Sequence, residues 1–411
     1  VPLVIGVVIV GITLYLLATG FEAEVYRLKL KGEPTTLEEF KQFCPPTGKP
    51  AIHYQKLADA LQKVRDDLTP DEVEKFQTLP FVGESESCPR ELDSWEELPL
   101  AEEYLALHAE VLQIVDQTVI ENATLDYPSD WDEIISSSEY LPISRVTDVL
   151  LVLSLVSSLR NDSKEAIKSL EQVQLLASYP DYWPAAMSHL VREGIHRAHI
   201  KSVEFVVAIP GLTNDDLDRL RQMILARNNK GQLHRTFVSE RIFLIDALRD
   251  PWNAPQGFFR CIAQRKYLMR SANAWAKLCK EDWSIVAARA PVLREADEAI
   301  YAESLFGNVF EVALDVTLWN EAQRELAQVG IASRHYLLSH GHSVRAIEDL
   351  VPRFLKRIPT SPFSGERARL TENDQGELIF DFKSPRRNED GSIAELQPQF
   401  RYYVRPMDQT D

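Results

Sequence analysis

The chain opens on an uncharged, almost wholly apolar run over residues 1–20, and its first charged residue is Glu22. The side chains of this run are Leu3, Val4, Ile5, Val7, Val8, Ile9, Val10, Ile12, Leu14, Leu16 and Leu17, set among small residues. At a helical rise of about 1.5 Å per residue it reaches about 30 Å, the hydrocarbon thickness of a bilayer. The pattern predicts a single membrane-spanning helix. A cleaved signal peptide is the alternative, with Ala18 and Gly20 as small residues at a cleavage site. The apolar part of a signal peptide is about 7–15 residues, shorter than this run. A buried strand pair fits less well, because no turn signal divides the segment.

From residue 21 the apolar positions take helical spacing. Gly32-Glu33-Pro34 breaks the first stretch, so the body is expected to stand off the bilayer on a linker. Thr36 and Glu39 have capping-box spacing and predict a short helix, Leu37–Phe43. Pro45 to Pro50 reads as a rigid connector. Ile52, Leu57, Leu61, Val64 and Leu68 predict a helix over 51–68, and 78–97 reads as a polar loop. Leu105, Leu112, Val115 and Val119 predict one helix from Leu98 to Asn122. A helical hairpin follows: Val146–Leu159, a turn at Arg160-Asn161-Asp162, and a return helix over 163–178. Further helices are expected over 185–208, 214–227 (capped by Thr213), 231–248, 258–280 and 293–340. After 366 the pattern changes to short strands around Ala368-Arg369-Leu370, Leu378 to Phe382 and Phe400 to Val404.

The expected fold class is therefore mainly α. It comprises an N-terminal transmembrane helix, a solenoid-like array of antiparallel helices, and a small C-terminal β-sheet. No strict repeat length is visible. The expected organisation is an anchor over 1–20, a linker with short helices over 21–97, the helical array over 98–340, and a C-terminal segment over 341–411.

Charge narrows the function. The net charge is -17. Such a surface repels phosphate backbones, which argues against nucleic acid as a partner. Short basic stretches such as Arg386-Arg387 read as solvated loop charges. The four cysteines are too few for a disulfide framework or a zinc ribbon. Cys44 and Cys88 lie in polar stretches and can pair if the domain is outside the cytoplasm. Cys261 and Cys279 read as core thiols.

Three stretches together resemble a known family. They are Tyr26-Arg27-Leu28 through Gly32 to Glu39; Tyr54 to Leu57 with the 146–178 hairpin and Ser239-Glu240-Arg241; and Tyr336 to Gly341 with Ile347 to Leu355 and Ile358 to Gly365. They resemble the membrane-anchored, mostly helical proteins of planctomycete-type bacteria, a family that carries no activity over. The third stretch is also similar to the C-terminal region of the major pseudopilins of type II secretion. There a helix leads through a turn, a short Leu-rich helix and a Pro-Asp-Pro-aromatic-Gly turn into a small sheet. Ser361 stands here where that turn has Asp, and the Pro expected after Gly341 is missing. Val1 to Gly20 also lacks the Glu of a pilin stem. These departures speak against pilin assembly and against calcium in the terminal sheet.

Candidate chemistry is sparse. His189, Glu193, His196 and His199 lie at i, i+4, i+7 and i+10, near one helix face, and imidazoles with a carboxylate at that spacing can ligate zinc. It is not the His-Glu-x-x-His arrangement. The same spacing also suits a hydrophilic stripe or packed core histidines. His335, His340 and His342 cluster at a helix end, where imidazoles suit the free carbonyls. Glu240 and Arg241 sit mid-helix among apolar neighbours. One of them is expected to enter the core and meet Arg192, Arg197 or Asp246. No phosphate loop or nucleophile motif is present. The expectation is a non-enzymatic scaffold or accessory subunit of an envelope complex, without a cofactor. It would be single-pass in a bacterial inner membrane with its bulk in the periplasm. Its partners would be lipid, through the N-terminal helix, and other membrane or envelope proteins. The alternative is a metal-assisted hydrolase using the His189/Glu193/His196/His199 face.

Overall fold

A computed structural model describes residues 20–43, 49–51, 54–83, 95–117, 119–121, 140–178, 186–226, 229–249, 269–301, 305–373, 377–382 and 399–403. The predicted anchor from Leu3 to Leu17 and the cysteines Cys44, Cys88 and Cys261 lie outside the described residues. Among the described residues, the helix apolar and long enough to cross a membrane is Pro142–Leu159, and 67% of it is buried inside the protein. It is a core helix here.

The protein is mainly helical. Helix α1 covers 20–30. Phe21, Val25 and Leu28 form its apolar stripe and are at most 4% exposed. It ends at Gly32, whose φ of 69° opens a Schellman turn: Gly32 N–H donates to the Lys29 carbonyl and Glu33 N–H to the Leu28 carbonyl, both at 3.0 Å. Residues 21–43 are thus a packed part of the body, not a stand-off linker, because this stripe has a core to enter. Helix α2, Leu37–Phe43, is where its capping signal put it. Thr36 Oγ1 accepts from Glu39 N–H at 3.2 Å, while the Glu39 carboxylate turns back to Thr35 rather than to Thr36.

Helices α3 (Tyr54–Asp67), α4 (Pro70–Phe76), α5 (Leu98–Leu107) and α6 (Ala109–Asp116) follow. The single helix expected from Leu98 to Asn122 is interrupted at His108, whose backbone leaves the helical region at ψ 15°. Its Nδ1 donates to the Tyr104 carbonyl at 2.8 Å. The β-branched pair Val119-Ile120 instead enters strand β2 (Val119–Glu121), antiparallel to β1 (Lys49–Ala51) with Pro50 opposite Ile120.

The hairpin consists of α7 (Tyr140–Leu159) and α8 (Ser163–Ala177). Asn161 takes the left-handed conformation at φ 57°, and Asp162 caps α8 by accepting from Glu165 N–H at 3.1 Å. Next come α9 (Ala186–Val207), α10 (Asn214–Leu225), α11 (Asn229–Arg249), α12 (269–278), α13 (Trp283–Tyr301) and α14 (Leu305–His340). The helix expected over 293–340 is described in α13 and α14, the first of which starts earlier, at Trp283. The chain closes in a three-stranded antiparallel sheet, β3 (Ala368–Glu372), β4 (Glu377–Phe382) and β5 (Gln399–Tyr403), in that order.

Two apolar cores organise these elements. The larger takes α3 to α8, most of α9, α10, the second half of α14 and the sheet. The smaller takes α1, Phe40 of α2, α11, α12, α13 and the first half of α14. Phe237, Trp275 and Phe310 form its aromatic centre, with Phe237 edge-on to Phe310 at 4.8 Å. Helix α14 has 36 residues. It is about 54 Å long and threads both cores.

Gly330 is where the sheet docks on α14. A Cβ there would lie 2.1 Å from the ring of Phe400, which is fully buried and has nowhere to go. Gly330→Ala is expected to cost about 1–3 kcal/mol through overpacking, read as a lower urea midpoint with unchanged helical circular dichroism.

Candidate functional site

Helix α9 is enclosed by α7, α8, α11 and α14, so its polar residues must find partners inside the protein. His189, Glu193, His196 and His199 are all buried. His189 meets Thr317 Oγ1 of α14 at 2.8 Å through Nε2. Thr317 already donates to the Ala313 carbonyl at 2.7 Å, so its oxygen accepts and His189 Nε2 carries the proton. His189 Nδ1 then accepts from Arg192 at 3.1 Å. Burial, reinforced by the Arg192 charge, holds the His189 pKa well below its ordinary value, so the ring is neutral. Arg192 donates to Glu193 at 2.5 Å, and Asn320 Nδ2 donates to both the Glu193 carboxylate and its carbonyl at 2.7 Å. His199 turns the other way and donates from Nε2 to the Leu170 carbonyl of α8 at 3.2 Å.

Three of the four candidate ligands therefore address different neighbours. His189 faces α14 and His199 faces α8, while the Arg192 cation stands between His189 and Glu193. Among the described residues no group of three or more His, Cys, Asp or Glu side chains is placed to hold a metal ion. The polar stripe is a seam joining α9 to α14 where the two cores meet.

Arg241 enters the core as expected, but its partners are not Arg192, Arg197 or Asp246. It donates to Glu33 at 2.6 Å, to Asn273 at 3.1 Å and to the Pro34 carbonyl at 3.3 Å. Glu240, half-buried, accepts from Ala186 N–H at the start of α9 at 2.7 Å. Burial outweighs that bond and pushes the Glu240 pKa from 4.5 up to about 7. Between those pH values the folded protein holds a proton that the unfolded chain has lost, so this group's contribution to stability falls as pH rises through the window. Glu240→Gln keeps a carbonyl acceptor for Ala186 and removes the charge. It is expected to match the native protein near pH 4 and to exceed it at pH 8. Part of the side chain reaches solvent, which limits the gain to about 1–2 kcal/mol. Urea midpoints across that range check it.

The C-terminal histidines are likewise engaged. His335 Nδ1 lies 3.1 Å from Asn214 Oδ1, and His340 Nδ1 donates to the Tyr336 carbonyl at 3.0 Å. His342 Nδ1 donates to the Ser343 carbonyl at 3.0 Å. The His340 and His342 rings gather on Tyr336.

The feature left open lies just beyond them. A 3-10 turn, Ile347–Leu350, leads to Pro359-Thr360-Ser361, which folds back on the start of β3. Ser361 N–H donates to the Glu366 carbonyl at 2.7 Å, and Ala368 N–H to the Pro359 carbonyl at 2.9 Å. Gly365, at φ 72°, makes the reversal. An open groove of about 830 Å³ runs beside this hairpin, lined by Glu348, Val351, Lys356, Arg357, Ile358, Thr360 and Arg367. Arg357 reaches Glu325 at 3.3 Å. Among the described residues, Lys356 and Arg367 are exposed and belong to no ion pair. These are cations left free on a chain of net charge -17. The periodicity of the sequence does not find them, because they come from a turn and a hairpin. The only signal is Arg353, Lys356 and Arg357 within one short stretch of an acidic chain.

No family model, no curated protein and no solved structure matches this chain at a significant level.

Proposed function

We propose that the chain is a non-enzymatic, membrane-anchored helical subunit that holds a partner protein at a bacterial envelope membrane. The observation that carries this reading is the C-terminal groove. It is open and lined by Val351, Ile358 and Thr360 together with Lys356 and Arg367, which have no ion-pair partner among the described residues. Such a surface suits binding, while His189, Glu193 and His199 are engaged in the internal seam. The apolar run over 1–20 supplies the tether, single-pass in the inner membrane with the body on the periplasmic side. There Cys44 and Cys88 would be free to pair. The antiparallel helical array gives the groove a rigid base. The likeness of residues 336–365 to the pseudopilin C-terminal region favours a place beside an envelope assembly, with the protein as a tethered accessory rather than a polymerising stem.

The test is affinity capture of the full-length chain from detergent-solubilised native membranes. A stoichiometric protein partner is the expected result. Recovery of the chain alone, as a monomer, would overturn the reading.

A further inference from the structure

Strand β3 forms one edge of the C-terminal sheet. In its antiparallel ladder with β4, Ala368 lies opposite Phe382 and Leu370 opposite Phe380. Ala368 N–H points away from β4, to the Pro359 carbonyl at 2.9 Å. Backbone direction alternates along an antiparallel strand, so the polar groups of Leu370 and Glu372 point outward too. By continuation of the Thr360–Arg367 register, Leu370 would face Arg357. The chain has peeled away there: Pro359 has no N–H to give, and no backbone bond joins 356–358 to β3. Among the described residues the ladder therefore stops short, leaving the outward backbone groups of Leu370 and Glu372 without a backbone partner beside the basic groove. Arg367, Arg369 and Thr371 share one face of β3. On that face Arg369 is held by Asp381, and Arg367 is free.

We propose that the open edge of β3 and the groove form one docking site for an extended, acid-rich segment of a partner protein. The segment adds a strand antiparallel to β3, and its alternate carboxylates meet Lys356 and Arg367. Main-chain bonds supply affinity, and the two cations supply the choice of an acidic sequence. Glu348, also in the groove's lining, repels a carboxylate beside it and so restricts where the acidic positions can lie. The inference rests on the reading of the chain as a partner-binding subunit and names the partner's chemistry.

The experiment uses the full chain in neutral detergent and a fluorescent ten-residue peptide of alternating Glu and Val, with binding read by anisotropy. Three changes are compared: the double variant Lys356→Glu/Arg367→Glu, the same peptide N-methylated at alternate residues, and competition by phosphatidylglycerol vesicles. Saturable binding that falls at least tenfold with both the double variant and N-methylation is the expected result. Binding indifferent to N-methylation would overturn strand addition, and so would full displacement by vesicles, which would assign the cations to lipid headgroups. A chain that is already dimeric through β3, and binds peptide only when dissociated, would assign the edge to a second copy and also overturn the proposal. Affinity capture with the double variant separates the two readings. A native partner retained unchanged defeats this site alone, whereas no partner with either protein defeats the subunit reading itself.

Discussion

Glu193→Ala is expected to destabilise the protein by about 3–5 kcal/mol, the cost of stripping one partner from a buried ion pair. Glu193 is fully buried, and the Arg192 guanidinium beside it is 3% exposed. Without the carboxylate, the cation keeps its desolvation penalty and loses the Glu193 charge. His189 already accepts from Arg192 and offers no negative charge in its place. Asn320 loses its side-chain acceptor on α9 in the same step. A domain is stable by only about 5–15 kcal/mol, so the effect should show as a large drop in urea midpoint. The control is Arg192→Leu/Glu193→Leu. Replacing both charges by apolar groups removes the penalty with the pair, so this double variant is expected to be far less damaging than Glu193→Ala. A double variant as unstable as the single one would mean that the seam acts through packing rather than charge.

The second large effect is expected at Glu33. Arg241 is 1% exposed and Glu33 26% exposed, so the carboxylate is the better-solvated partner and the guanidinium the one that needs it. Glu33→Ala is expected to cost about 2–4 kcal/mol, somewhat less than a wholly enclosed pair. It should loosen α1 and α2 against α11 and α12, because Arg241 ties all of these together through Glu33, Pro34 and Asn273. The effect should depend on pH. Burial pushes the Glu33 carboxyl up, but the bond to Arg241, with the Arg241 and Lys280 charges, more than offsets it and holds the pKa below 4.5. The stabilisation is therefore present above about pH 4.5 and fades as the carboxylate protonates below it. His234 adds to this acid sensitivity. Burial, with the nearby Lys280 charge, lowers its pKa from 6.5 to about 4, so its contribution is lost as pH falls through that window. Hydrogen exchange is expected to rise first in α1 and α2 of the Glu33 variant, and uniform loosening of the whole chain would contradict this.

Much of the helical order was legible because its signals are local. Thr213 forms its capping box with Asp216, Asp162 and Asn161 make the hairpin turn, and short stretches between turn residues mark β3 and β4. What was not legible depends on distant partners. A helix carrying His189, Arg192, Glu193, His196 and His199 reads as a hydrophilic stripe until four other helices surround it. Its polar contacts come from Thr317 and Asn320, more than a hundred residues away. The same holds for Arg241, whose acid is 208 positions distant. The Leu98–Asn122 helix failed for a different reason. Apolar spacing of three to four residues continues through His108, but the break there is a backbone event that side-chain periodicity does not record. The groove was missed because charge was read over the whole chain, and a net acidic balance hides a local basic surface.

Helix α1 is described from residue 20, and Phe21, Val25 and Leu28 are already inside the smaller core. An anchor through residues 1–20, as proposed, would therefore join a chain that is packed into the body from Phe21 onward. Held that closely to the proposed anchor, the body would have little room to move away from the bilayer, and the groove would stay within a limited distance of it. A partner would have to come within this reach. A soluble fragment trimmed past Leu28 would lose part of a core along with its tether.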